Sequence, residues 1–403
     1  MRRHRVIAAV LVGLGSVGAA ATVVSAIDRG GAGSAAVATT IPAATASTRP
    51  PSNALPPTLP PTTAPPAAQP LPEALLGCRP ASELSVEQQA HLVVMVGIDG
   101  ASIGPAELLT SGPTPVGGLF IGGDATAILA DGSLAGLVER TGVIVAVDDE
   151  GGRVQRLDGL DGDLPAAADM GVLPPGQVRA LAAERGRQLR QRGVTVDFAP
   201  VVDLSSAVRG RVIGDRSFGP DPEAVIERAG AFAAGLRDAG VIPTFKHFPG
   251  HGAGRGDSHR GPVSTDPLDE LERRDLVPFS ALAGPGAAES WVMVGHLDVP
   301  GLTEPDVPAS LSPAAHRYLR DVVGFDGLVV TDELGGMEAI RSRYGVGEAA
   351  VRALSAGADV VLFADGADVT PAARAIVGAI STGDLGPGRL AEAAERVREA
   401  QGC

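Results

Sequence analysis

Aromatic side chains are scarce in this 403-residue chain, 3% of all residues with Trp291 the sole tryptophan. That scarcity excludes an extended groove paved with stacking rings and favours a small, enclosed site. Cysteine is rarer still: Cys78 and Cys403 are the only two, which excludes a zinc site built on thiolates. Positive charge is also in deficit. The 47 acidic and 33 basic residues are scattered along the chain and leave a formal net charge of −14, so no basic stripe exists to track a nucleic-acid backbone and no nucleic-acid partner is expected. No dinucleotide-binding fingerprint favours an open Rossmann-type sheet.

What is present begins with an export segment. Arg2, Arg3 and Arg5 precede an uncharged run of 22 residues, Val6 to Ile27, long enough as a helix at about 1.5 Å per residue to span a bilayer core. Val24 and Ala26 are small residues suitably placed for signal-peptidase cleavage. Residues 1–27 are therefore a signal peptide or a membrane anchor, with retention the preferred reading and the membrane touched only through this segment. Residues 28–77 form a linker. Eleven prolines fall between Asp28 and Pro72, and only Asp28, Arg29 and Arg49 are charged there, a composition that cannot build a core and favours a disordered, extended tether. Leu75-Leu76-Gly77-Cys78 superficially resembles a lipid-attachment box, but Pro72 and Glu73 interrupt the approach to it.

From residue 78 to 403 short apolar runs alternate with longer amphipathic stretches, the pattern of βα units. Seven runs are nearly continuous in apolar residues, as parallel strands buried on both faces must be. They are Val116–Ile121, Val143–Val147, Val194–Phe198, Val241–Phe245, Trp291–Gly295, Gly327–Thr331 and Asp359–Phe363. Between them, Val225, Ala229, Phe232 and Leu236 share one helical face, as do Leu390, Ala394 and Val397. The expectation is an α/β fold, a TIM-type (β/α)8 barrel with one strand unplaced; a doubly wound open sheet is the alternative. Cys78 and Cys403 bracket this domain, and in an exported protein they are expected to pair.

Polar residues follow the strands at their carboxyl ends: Asp148, Lys246, His247, His296 and Asp332. In a parallel barrel those ends share one face. The densest stretch is Lys246-His247-Phe248-Pro249-Gly250-His251-Gly252, followed by Asp257-Ser258-His259, and it resembles the signature of glycoside hydrolase family 3, specifically the bacterial β-N-acetylglucosaminidase branch. Val147 to Arg156, Asp197 to Leu204, Val212 to Phe218 and Thr331 to Leu334 resemble further family motifs in the family's order. The likeness covers about residues 80 to 400. One departure stands out: Ala253-Gly254 replace the Asp-Thr that many family members carry there.

The resemblance implies a retaining double displacement, with Asp332 as nucleophile and His259, oriented by Asp257, as acid/base. An imidazole suits both proton transfers near neutral pH. It also implies sugar contacts from Asp148, Arg156, Arg216, Lys246 and His247, no cofactor, no metal, and a small carbohydrate substrate such as a muropeptide. The glycines around His259 suggest a loop that closes over bound sugar, and paired Gly151-Gly152 suggest close ligand approach. Glu150, Asp203 and Asp215 are read as supporting residues, His251 as a loop-shaping residue, His296 as an even choice between lining and structure, and Trp291 as core. The protein is read as monomeric. Taken singly, Asp332 is as well explained as a helix N-cap, and His247, His251, Asp257 and His259 could be read as metal ligands. Phosphorolysis in place of hydrolysis, and a non-catalytic cell-wall-binding module, are the remaining alternatives.

Overall fold

The computed structural model describes residues 78–403, apart from 99, 124, 125, 207 and 209. The export segment and the linker lie outside the described residues. No helix among those described is long and apolar enough to cross a membrane.

Among the described residues ten strands occur in chain order: β1 (Val94–Ile98), β2 (Gly118–Ile121), β3 (Ile144–Val147), β4 (Val196–Asp197), β5 (Ile242–Phe248), β6 (Val263–Ser264), β7 (Trp291–Val294), β8 (Leu297–Asp298), β9 (Val329–Thr331) and β10 (Val361–Phe363). Eight of them form one sheet in the order β10-β1-β2-β3-β4-β5-β7-β9, every pairing parallel. A parallel bridge between Val330 and Val360 joins the two ends of that order and closes the ring. The expected TIM-type barrel is therefore present, and the open sheet is not. β6 and β8 pair in a small separate ladder.

All seven sequence-predicted strands exist, six of them trimmed and β5 extended at its carboxyl end. The unplaced eighth is β1, every residue of which is buried. It was hidden because it follows helix Val86–Leu92 after a single residue, so the apolar run carries no turn signal to separate helix from strand. The helix carrying Val225, Ala229, Phe232 and Leu236 spans Pro222–Asp238 and buries all four, with Asp221 accepting from the Ala224 N–H at 3.2 Å as N-cap. Trp291 is core, 2% exposed.

The seam between β9 and β10 is pinned by charge. Asp359 is fully buried, and its carboxylate accepts from the Val329 N–H at 2.9 Å, Arg320 at 2.8 Å, Arg389 at 2.5 Å and Arg396 at 3.1 Å. Such a carboxylate is tolerable inside only because its lone pairs are filled. At the two ends of the barrel domain, Cys78 and Cys403 form a disulfide with Cα atoms 5.5 Å apart. That pairing also occupies the thiol of the superficial lipid box.

The bridge closes a loop of 325 residues, and the chain-entropy account puts such a constraint on the order of 5 kcal/mol. Replacing Cys403→Ser should lower the thermal midpoint by roughly 5–10 °C in a scan. An unchanged midpoint would mean that the terminal helices hold the ends together without the bridge.

Candidate active site

Four carboxyl strand ends meet in one pocket of about 400 Å3, lined by Asp148, Arg156, Arg216, Lys246, His247, His259 and Asp332. Asp257 opens instead onto an adjoining recess that it shares with Asp148, Arg216 and His259. Every residue that the sequence nominated for chemistry or sugar binding thus borders one contiguous site.

The pocket floor is a charge lattice. Lys246 and His247 belong to β5 itself, which runs three residues beyond its predicted end. The Lys246 ammonium is 1% exposed and lies 2.5 Å from both Asp148 and Glu150. Glu150 in turn takes a two-pronged interaction from Arg216, 2.7 Å on each side. Burial alone would raise the Glu150 carboxyl, but Arg216 and Lys246 outweigh it and hold it well below the usual carboxylate range. Burial likewise opposes the charge on Lys246, and Asp148 and Glu150 reverse that effect and raise it. Lys246 is the only lysine in the chain. A compact ammonium fits between two carboxylates converging from one side, where a planar guanidinium would have to choose one of them.

His247 is oriented by Asp203, which is fully buried. The ring Nδ1 lies 2.7 Å from Asp203 Oδ2, and the main-chain N–H groups of His247 and His251 also donate to that carboxylate. With the hydrogen on Nδ1, Nε2 is left as an acceptor, 3.4 Å from Arg216 Nη2. Asp215 holds Arg153 at 2.8 Å. The supporting roles read for Glu150, Asp203 and Asp215 correspond to these contacts.

Asp332 follows β9. One of its oxygens accepts from the Glu333 N–H at 2.9 Å, and the other has no protein partner among the described residues. Burial would raise this carboxyl, yet His296, His247, the Glu333 N–H and Lys246 together bring it below the ordinary aspartate value. His296 does not line the pocket. It is 1% exposed, with Nε2 on the Glu333 carbonyl at 2.7 Å and Nδ1 on Ser310 at 2.8 Å. It props the segment that carries Asp332.

The Asp257/His259 pair lies at the rim. Nδ1 of His259 is 3.2 Å from Asp257 Oδ1, and the His259 side chain is 70% exposed. The dyad loop is tied to the Asp332 segment through the Ala339 N–H, which donates to the Ser258 carbonyl at 3.0 Å. The reading of Gly152 as clearance for a ligand changes here, and Gly252 is accounted for by close packing. A Cβ on Gly252 would sit 1.7 Å from the Leu204 carbonyl oxygen, and one on Gly152 would meet Ala166 at 2.6 Å. These glycines admit neighbouring chain; neither position leaves room that a ligand would use.

Sequence reasoning passed over two features. Glu333 accepts from four main-chain N–H groups, of Gly335 at 2.7 Å, Gly336 at 2.6 Å, Met337 at 3.1 Å and Ala364 at 2.9 Å. It staples the loop after β9 to the loop after β10, a role that no local pattern announces. Phe120 and Phe198, stacked with centroids 5.6 Å apart, form an apolar pocket wall; inside apolar strand runs they are indistinguishable from core. Among the described residues no three His, Cys, Asp or Glu side chains converge to hold a metal ion, because His247 is committed to Asp203 and His259 stands apart at the rim.

A barrel with this acid-rich pocket over its carboxyl strand ends matches the sequence profile of the glycosyl hydrolase family 3 N terminal domain over residues 126–400. The chain belongs to that family and is a glycoside hydrolase. It is 50% identical over 280 residues to the beta-hexosaminidase LpqI of Mycobacterium tuberculosis, covering 67% of this chain and 71% of that protein. A beta-hexosaminidase of Stenotrophomonas maltophilia is 39% identical over 248 residues, 58% of this chain and 71% of the relative. Among solved structures, M. tuberculosis LpqI superposes with a TM-score of 0.74 at 44% identity, covering 81% of this chain and 98% of that one. A family 3 β-N-acetylglucosaminidase from Paenibacillus sp. superposes with a TM-score of 0.72 at 31% identity over 79% of this chain and 64% of that one.

Removing the ammonium of Lys246 leaves two carboxylates facing each other, one of them buried. Lys246→Met should cost about 3–5 kcal/mol in urea unfolding, and Lys246→Arg should recover less than half of that loss. Full recovery by arginine would show that charge alone, without its compact shape, holds the floor.

Proposed function

We propose that this glycoside hydrolase, a β-N-acetylhexosaminidase like its curated relatives, removes terminal non-reducing β-linked N-acetylglucosamine, with peptidoglycan fragments as the natural substrate. One observation carries the reading: Asp332 on the floor and His259 at the rim open on the same pocket, whose size suits one terminal sugar, with Asp257 beside His259 on the adjoining recess. Its polar wall, formed by Asp148, Arg156, Arg216, Lys246 and His247, supplies charge-assisted hydrogen bonds for sugar hydroxyls. Arg156 has a buried Nε with no protein partner among the described residues, a donor left for ligand. Phe120 and Phe198 offer the apolar face that a pyranose ring or acetyl methyl needs.

The free oxygen of Asp332 attacks the anomeric carbon while His259 passes its proton to the departing glycosidic oxygen. A glycosyl-enzyme ester forms, and the aglycone leaves as a neutral alcohol. His259 then takes a proton from water, whose oxygen attacks the same carbon, and Asp332 departs as carboxylate. Two inversions give net retention. Asp257 accepts from Nδ1, so the proton in transit rides on Nε2. The Cys78–Cys403 disulfide supports export, since such bridges persist in oxidising compartments. We place the enzyme outside the cytoplasm, secreted or held by residues 1–27.

Asp332→Ala should abolish release of 4-nitrophenol from its β-N-acetylglucosaminide, and His259→Ala should slow turnover far more for poor leaving groups than for activated ones. Wild-type rates in both variants would refute the site assignment. Full activity in chelator is expected, and loss would favour the metal reading.

The pH dependence follows from the depressed Asp332 carboxyl. A carboxyl that gives up its proton at lower pH than a free one stays ionised as the medium is acidified. The acid limb of kcat/KM for an activated aryl glycoside should therefore lie below about 3.9, the ordinary aspartate value. A limb above pH 5 would mean that a different group, or a raised Asp332, controls the first step.

A further inference from the structure

Behind the pocket floor lies a second set of buried charges, and it does not balance. Asp149 and Asp197 are fully buried, and neither lines the pocket. Lys246 and Arg216 are already committed to Asp148 and Glu150. Among the described residues the only ion-pair partner of either acid is Arg185 of helix Pro175–Gln191, 3% exposed, whose Nε stands 3.9 Å from Asp149 Oδ1. Two carboxylates against one guanidinium leave a net negative charge where water does not reach, which is costly unless a proton removes it.

The hydrogen bonds of the two acids tie a sugar-contact loop to the barrel. The Asp149 N–H donates to Asp197 Oδ1 at 2.9 Å, and Asp149 Oδ2 accepts from the Arg156 N–H at 3.1 Å. Asp197 ends β4 and is in register with Val147 of β3. The link thus runs from a barrel strand through Asp149 to Arg156, across the loop that carries Asp148 and Glu150. Three atoms are left over: Asp149 Oδ1, Asp197 Oδ2 and Arg185 Nη1 have no partner among the described residues. Arg185 is held instead by its Nη2, which donates to the Gly162 carbonyl at 2.6 Å. A hydrogen on one acid turns a leftover oxygen from acceptor into donor, with the other acid as its acceptor.

The surrounding charges favour that hydrogen. Burial raises the Asp197 carboxyl, the Asp149 and Asp148 charges add to it, and the Asp149 N–H and Lys246 oppose; the result lies well above the usual carboxylate range. Burial also raises Asp149, against Arg185, the Arg156 N–H and charge, and the Leu157 N–H. Asp149 has cationic and N–H neighbours that Asp197 lacks, so Asp197 is the better seat for the proton.

We propose that Asp149 and Asp197 hold one proton between them at neutral pH, taken up from solvent on folding, and act as a positioning pair that seats Asp148 and Arg156 in the sugar pocket. With the proton in place Asp149 stays docked on β4. Without it two negative charges oppose each other across the Asp149 N–H contact, the loop after β3 loosens, and sugar is held less tightly. Asp332 and His259 are carried by other loops and keep their places, so the effect falls on KM more than on kcat. The kinetic half of the proposal rests on the activity proposed above; the shared proton does not.

The test variant is Asp197→Asn in the full chain, where the amide oxygen still accepts from the Asp149 N–H and the amide N–H stands in for the hydrogen of the acid. A carboxyl whose folded value is raised lends its full stability only below about 3.9 and loses it as pH climbs to the folded value. The thermal midpoint of Asp197→Asn relative to wild type should therefore rise by roughly 5 °C or more between about pH 4 and about pH 7.5. A difference that stays constant or falls overturns the shared proton. With 4-nitrophenyl β-N-acetylglucosaminide, wild-type KM should climb about threefold or more from about pH 7 to about pH 9.5, Asp197→Asn should hold it level, and Asp197→Ala should raise it at every pH. The same pH dependence of KM in wild type and Asp197→Asn overturns the positioning role. No turnover by any chain overturns the glycosidase reading instead, and the midpoints still decide the proton. Should Asp197→Asn not fold, the infrared spectrum of the wild-type chain at about pH 7.5 decides: a protonated-carboxyl C=O band is expected, since Asp275, which burial pushes up to about 6, is ionised by then. Absence of that band overturns the proposal.

Discussion

The ammonium of Lys246, held between Asp148 and Glu150, is the interaction on which the rest of the site depends. Asp148 and Glu150 come from the loop after β3, Lys246 from β5 and Arg216 from the segment between β4 and β5. None of these charges is tolerable alone in the barrel mouth, and together they balance, two positive against two negative. The set is complete only when the strands have closed. The binding surface is therefore rigid for the same reason that the barrel top is stable, and its open donors are fixed before any sugar arrives.

Around that floor Asp332 and the Asp257/His259 pair are held differently. Asp332 is fixed by the Glu333 N–H, its segment by His296 and by the Glu333 staple between the loops after β9 and β10. Neighbouring positive groups keep it ionised at the cost of some desolvation. The Asp257/His259 pair sits in solvent at the rim and is anchored through one main-chain contact to the Asp332 segment. In the proposed mechanism Asp332 must meet one carbon from one direction, and immobilisation suits that role. The proton shuttle proposed for His259 must serve a leaving alcohol and then a water, and a position open to both suits it.

A larger cavity of about 820 Å3 shares Val212 and His251 with the pocket of Asp332, and the two cavities differ in the charge of their walls. The smaller one is lined by a balanced lattice of charge, whereas the larger one has arginines and no carboxylate among its described lining residues. The net charge of −14 says nothing about this local excess, because the average over a surface does not constrain the composition of one wall.

Much of this was legible in the residues. Continuous apolar runs marked seven of the eight barrel strands because a parallel strand buried on both faces has no choice but to be apolar. The order of polar residues behind those runs identified one functional face, since all carboxyl ends of a parallel barrel point the same way. Asp332, Asp257, His259 and the five proposed sugar contacts were all named from their motifs. Other assignments depended on contacts between residues distant in sequence. β1 merged with the helix before it; Gly152 looked like ligand clearance until Ala166 arrived beside it; His296 turned away from the pocket; and Glu333 gained its four N–H partners only when two loops met. The sequence by itself determined which groups could be buried and which chemistry the strand ends could supply, because apolarity and side-chain type are local properties. Only the tertiary structure decided which charge faces which, and that two cavities of opposite character share His251, because partners and clearances belong to pairs of segments that the chain brings together on folding.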